Sequence, residues 1–205
     1  MSGTPKPLRV GVVLFEGFEL LDVFGPLEML GGKADIVMLA ENPGSVASIQ
    51  GPRSVVDETL AQAGEFDAIL VPGGFGTRRE VGNEPFLSGL RGLSERSRHV
   101  TSVCTGSALL AKAGILDGRK ATTNKRAFAW VVSQGPKVEW IAQARWVEDG
   151  KFFTSSGVTA GMDMTLALVA HLFGRETSLG IAQGAEYEWH EDKAWDPFAK
   201  LNGLA

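Results

Sequence analysis

Four short runs of apolar and β-branched residues constrain this chain most: Leu8–Phe15, Ala34–Ala40, Phe66–Val71 and His99–Val103. Runs this short and this continuous read as strands buried on both faces, the habit of a parallel sheet. Helical stretches fall between and after them. Pro26 opens a helix over Leu27–Leu30 that stops at Gly31-Gly32, and Pro85 opens another over residues 83–96, with Phe86, Leu87, Leu90 and Leu93 on one side. An Ala/Leu-rich helix follows Thr105, a short one spans residues 127–134, and the most apolar one runs from Met162 to Phe173 between an N-cap at Thr159 and a stop at Gly174. The segment 41–51 returns through a hairpin near Arg53–Val56, Lys120–Thr123 is a short strand, and residues 145–154 form a hairpin about Asp149-Gly150. Strands alternating with helices in this way predict a doubly wound α/β sheet with helices on both faces.

Such a sheet binds ligands beyond the carboxyl ends of its strands. Asp22, Gly73, Gly74, Cys104, Asn124 and the loop Gly157-Val158-Thr159 all fall there. Cys104, the only cysteine, sits where the fourth strand turns into a helix, with Ser102 and Gly106 two residues to either side, a cysteine version of the nucleophile elbow. A lone cysteine is otherwise a small buried hydrophobe; the strand-turn-helix setting favours the nucleophile. At a helix N-terminus its thiol pKa is expected to fall. Asp22, predicted just ahead of the first helix among Leu20, Leu21, Val23 and Phe24, is expected to be desolvated, to have a raised pKa and to hydrogen-bond the cysteine. Pro72-Gly73-Gly74-Phe75-Gly76 reads either as a tight turn or as a loop that offers backbone N–H groups to an anion.

The 205 residues are expected to form one domain, with a core over about residues 8–174 and a C-terminal extension over 175–205. A formal charge of −4 leaves no electrostatic footprint for nucleic acid. Met164–Phe173 is too short to span a bilayer, and the start, Met1–Pro7, lacks the apolar core of a signal peptide, so no membrane partner is expected. One cysteine forms no internal disulfide, which suits a reducing cytoplasm. His99 and His171 read as packing or surface residues. His190, followed by Glu191, lies after Cys104 at a distance resembling the triad of class I glutamine amidotransferases, but beyond the last strong helix, and is set aside. No residue set has metal-ligand spacing, and neither metal nor cofactor is expected.

Leu21-Asp22-Val23-Phe24-Gly25-Pro26, Val71-Pro72-Gly73-Gly74, Thr101-Ser102-Val103-Cys104-Thr105-Gly106-Ser107, Ala121-Thr122-Thr123 and Gly157-Val158-Thr159-Ala160-Gly161-Met162-Asp163 together resemble the ThiJ/PfpI superfamily of class I glutamine amidotransferase-like proteins. The likeness runs from Val10 to about Gly174 and is greatest to the isonitrile (isocyanide) hydratase branch and to sensor domains of some AraC-type regulators. It implies a flavodoxin-like α/β/α sandwich, a homodimer, and a reactive cysteine opposite a carboxylic acid. The implied activity is cofactor-free hydration of a small electrophile, such as an isonitrile, to an N-formamide, which is hydro-lyase chemistry. Cys104 would be the nucleophile, Asp22 the proton carrier and Thr105 the holder of water, with the N–H groups of Gly74 and Thr105 binding developing charge. Gly73, Gly74, Asn124, Gly157, Val158 and Thr159 would contact the substrate.

Two positions depart from the pattern. Protease-like members carry histidine directly after the nucleophile, where Thr105 stands, and the hydratase-like pattern continues Ala-Thr-Thr with His-Trp, where Asn124-Lys125 stand. Two other readings therefore stay open: a glutathione-independent glyoxalase or deglycase, and a redox or ligand sensor whose Cys104 is oxidised to a sulfinate bonded by Asp22. A regulator would need a helix-turn-helix domain after the sandwich, for which the residues before Ala205 are expected to leave no room.

Overall fold

The first strand, β1 (Leu8–Val13), lies near the middle of the main sheet, because Val12, Val13 and the following Leu14 are apolar on both faces and fully buried. The structure is a computed structural model describing residues 7–205; the signal-peptide reading of Met1–Lys6 lies outside the described residues. In chain order there follow α1 (Leu20–Met29), β2 (Ala34–Ala40), β3 (Gly44–Ala47), β4 (Arg53–Val56), β5 (Glu58–Thr59), β6 (Phe66–Val71), α2 (Thr77–Glu80), α3 (Glu84–Glu95) and β7 (Ser97–Ser102). The remainder comprises α4 (Gly106–Lys112), β8 (Lys120–Ala121), α5 (Phe128–Gln134), β9 (Glu139–Trp140), β10 (Trp146–Asp149), β11 (Phe152–Ser155), α6 (Ala160–Phe173), α7 (Arg175–Gly184) and α8 (Pro197–Leu201).

Seven strands form the main sheet in the order β10-β11-β7-β6-β1-β2-β5. All neighbours are parallel except the expected β10/β11 hairpin, which turns through Gly150-Lys151, one residue later than Asp149-Gly150, because Asp149 still pairs with Phe152. Helices α1, α6 and α7 pack together in one layer, while α2, α3, α4 and α5 form the other. The result is the expected flavodoxin-like three-layer α/β/α sandwich with a mostly parallel sheet. Phe86, Leu90 and Leu93 of α3 and Leu109 and Leu110 of α4 are fully buried, as their spacing requires. Among the described residues no helix is long and apolar enough to cross a membrane.

Three local expectations need correction. Helix α1 begins at Leu20, so Pro26 lies inside it and Asp22 stands in its first turn instead of ahead of it. The proline forfeits one intrahelical hydrogen bond, which is tolerated because it is buried against Gly161 at the start of α6. Thr159 occupies the N-cap position of α6 but caps nothing; its hydroxyl accepts from Arg145 Nη2 at 3.4 Å. Finally, α7 is absent from the sequence reading because Gly180 and Gly184 are poor helix formers. Tertiary contact overrides that propensity, with Ala182 packing on Met29 and Leu166.

After α7 the chain is held to α6 by one buried carboxylate. Asp163 Oδ1 accepts from Tyr187 OH at 2.9 Å and from the His190 amide at 3.1 Å, its backbone carbonyl accepts from Trp189 Nε1, and Oδ2 takes Arg145 Nε at 2.5 Å. His190 itself stacks on Trp195, and Glu191 forms a two-bond pair with Arg175. Both are committed within the extension, which removes the physical basis for a Cys104-His190-Glu191 triad.

Candidate active site

Cys104 stands two residues after β7 in a left-handed backbone conformation, φ +56°, before α4 starts at Gly106. A non-glycine residue there is strained by about 1–2 kcal/mol, and three hydrogen bonds hold it. The Cys104 amide donates to Ser156 O at 2.9 Å, and its carbonyl accepts from Thr123 Oγ1 at 2.8 Å and Ser107 Oγ at 3.2 Å. The elbow also needs Gly106, since a Cβ there would stand 2.2 Å from the Val71 carbonyl oxygen. Across from it, Val158 has φ +35°, an outlier for a β-branched residue. The amides of Thr105 and Val158 both face the Cys104 sulfur. Strain at two facing residues marks this loop pair as a built site.

Asp22 is completely buried beside that thiol. Its Oδ2 accepts from the Gly73 amide at 2.8 Å, while Oδ1 has no hydrogen-bond partner. The expected bond from Asp22 to Cys104 is therefore not formed. Burial, opposed by the Gly73 amide and aided by the charge of Glu19, pushes the Asp22 carboxyl up to about 8, as expected. For Cys104 the expectation is reversed: burial, then the Asp22 charge, pushes the thiol up to about 12 against the pull of the Thr105 and Val158 amides. A seven-residue helix and two amides do not offset the loss of water around the thiol of a residue that is only 7% exposed.

Thr105 is engaged as well. Its hydroxyl accepts the Gly74 amide at 3.0 Å and lies 3.2 Å from Thr77 Oγ1, so the Gly74 N–H expected to bind developing charge is already taken. Above the sulfur lies a cavity of about 420 Å³, within the range of ligand pockets. Gly74, Cys104, Thr105, Asn124 and Val158 line it, as expected of residues from separate strand ends. Gly73, Gly157 and Thr159 do not. Gly73 is packed between Asp22 and Thr105, and Gly157 makes room for Asn124, whose Nδ2 would be 2.7 Å from a Cβ there. Asn124 Oδ1 caps the turn into α5 by accepting the Ala127 amide.

The sequence reading missed Glu19, Phe75, Arg78, Arg126 and Ala127, which also line the cavity. The arginines had a usable signal, since each follows within a few residues of a strand-end loop that had been singled out. Lys125 faces away from the cavity into a buried pair with Asp196.

Residues 8–171 match the DJ-1/PfpI family. Over 182 residues the chain is 33% identical to an isonitrile hydratase from Pseudomonas putida, covering 88% of this chain and 78% of that protein. It is 30% identical over 191 residues to the HTH-type transcriptional regulator GbdR from Pseudomonas aeruginosa, covering 89% of this chain but 52% of the regulator, about half its length. Among solved structures, a ThiJ/PfpI family protein from Pseudomonas syringae superposes with a TM-score of 0.83 at 28% identity, over 93% of this chain and 80% of that one. Sequence match, sheet order and cysteine elbow agree, and the chain belongs to the DJ-1/PfpI family.

Proposed function

We propose that this protein is a cysteine-dependent hydro-lyase that adds water to a small isonitrile and releases an N-formamide, without a cofactor. The observation that carries the reading is a fully buried carboxyl group with one unpartnered oxygen, whose charge acts on the Cys104 thiol that lines a small cavity. Asp22, raised to about 8, still holds its proton near neutrality, so it suits the role of an acid toward an isonitrile carbon. As that proton moves to the carbon, the Cys104 sulfur bonds to the same carbon and the thiol proton passes to the Asp22 carboxylate. The net change is addition of S–H across the carbon, giving a thioimidate on Cys104. Negative charge that builds on sulfur as the thiol proton leaves meets the Thr105 and Val158 amides. Water then adds to the thioimidate carbon, the C–S bond breaks, nitrogen takes a proton, and N-formamide and thiol result.

The family likeness to a hydratase supports this choice of substrate class. A homodimer is part of the reading, and sedimentation at micromolar concentration should show twice the chain mass. The deciding experiment assays the purified protein against a panel of isonitriles and against methylglyoxal, with Cys104→Ser as the control. Formamide production that the variant abolishes supports hydration. Turnover of methylglyoxal alone would replace it with glyoxalase chemistry, and no turnover of either would leave the sensor reading.

A further inference from the structure

We infer that the substrate of this site carries a carboxylate, and that Arg78 and Arg126 bind it at the mouth of the Cys104 cavity. Both arginines line that cavity. Arg78 is gripped on its faces, with its guanidinium carbon 4.8 Å from the Phe75 ring centre and 4.6 Å from that of Trp130. Stacking of this kind fixes the plane of the group while leaving its N–H edge to donate. Among the described residues neither Arg78 nor Arg126 has a carboxylate partner, although other exposed arginines, such as Arg53, Arg98 and Arg175, are paired. Two unneutralised guanidinium groups over one small cavity constitute a receptor for a planar anion.

The charge felt at the thiol has the opposite sign. Glu19 lines the cavity too, but its carboxylate is taken by Gln50 Nε2, and its charge acts on Asp22 and Cys104. An anionic group is thus disfavoured near the thiol and favoured at the arginines. That polarity would orient a small ω-functionalised carboxylate with its electrophilic carbon toward sulfur. A purely apolar isonitrile would use neither guanidinium.

The inference depends on Cys104 as the reactive group of the proposed hydration, but its test does not depend on hydration. Alkylation of Cys104 by iodoacetate and by iodoacetamide compares an anionic with a neutral reagent of nearly equal size. The iodoacetate to iodoacetamide rate ratio of the wild type is expected to fall on the order of tenfold in the Arg78→Gln/Arg126→Gln double variant, and added salt should lower it in the wild type. The Arg78→Lys/Arg126→Lys variant, which keeps the charges but loses the stacked planar fork, is expected to show a ratio between those of the wild type and the Gln variant. An equal ratio in the wild type and the Gln variant overturns the inference, as does equal loss in the Lys and Gln variants. In the hydration assay, the specificity of the wild type for an isocyano-carboxylate over a neutral isonitrile of matched length should fall in the same order. If no isonitrile reacts, the hydratase reading fails, while the alkylation ratio still decides this one.

Discussion

Lys125 Nζ and Asp196 Oδ2 meet at 3.1 Å with side chains only 2% and 1% exposed, tying the loop after β8 to the residue that caps α8. Lys125 also donates to Thr122 Oγ1 at 2.7 Å. Removal of one member of such a pair leaves an uncompensated buried charge, at about 3–5 kcal/mol. Asp196→Ala should lower the thermal midpoint strongly, whereas Lys125→Met with Asp196→Leu should recover most of the loss. Equal destabilisation by the single and double variants would show that the pair's charges are not the cause.

Asp163 is the second anchor of the extension, and its loss should loosen the chain around it. Asp163→Asn keeps the size but weakens the bond from Arg145 Nε. Limited proteolysis of this variant is expected to cut within residues 185–196 well before the sandwich is digested. A digestion pattern identical to that of the wild type would mean that packing by Trp189 and Tyr187 suffices.

Asp22 should make stability depend on pH with an unusual sign. Its carboxyl is raised from 3.8 to about 8, so its stabilising contribution is complete below about 4 and is lost as pH rises toward 8, where the folded protein must ionise a buried group. Asp22→Asn cannot ionise. The thermal midpoint of wild type minus variant should therefore fall between pH 5 and pH 8, by at least the 2–4 °C that 1 kcal/mol represents in a chain of this size. A difference that stays flat over that range would contradict the raised pKa.

The same variant tests the proton-transfer role. Asp22→Asn should lose on the order of a hundredfold in isonitrile turnover, and wild-type turnover should decline above about pH 8 as Asp22 loses its proton. Near-normal turnover by Asp22→Asn would leave Asp22 a structural acid.

Cys104 offers a direct readout of its environment, because only the thiolate alkylates. With the thiol pushed up to about 12, the alkylation rate should climb steadily through pH 7–10 and show no plateau near neutrality. Above pH 8, Asp22→Asn should alkylate faster than the wild type, since it removes a negative neighbour. A plateau near pH 7 would restore the low-pKa cysteine that a helix N-terminus alone suggests.

Strands β1, β2, β6 and β7, the elbow at Cys104 and the collection of loop residues at one sheet edge were legible in the residues themselves. Each is encoded locally: a buried parallel strand needs an unbroken apolar run, and a sharp strand-to-helix turn needs small residues such as Gly106. What tertiary structure alone decided follows from burial and long-range pairing. It placed Asp22 inside a helix despite Pro26, and reversed the thiol pKa because burial and the Asp22 charge outweigh the pull of the Thr105 and Val158 amides. It turned Lys125 inward because Asp196, seventy-one residues later, waits there, and set Arg78 between Phe75 and Trp130 from different segments. Local propensity extends over a few residues, whereas the dielectric and charge partners of a side chain are set by whatever the fold brings beside it.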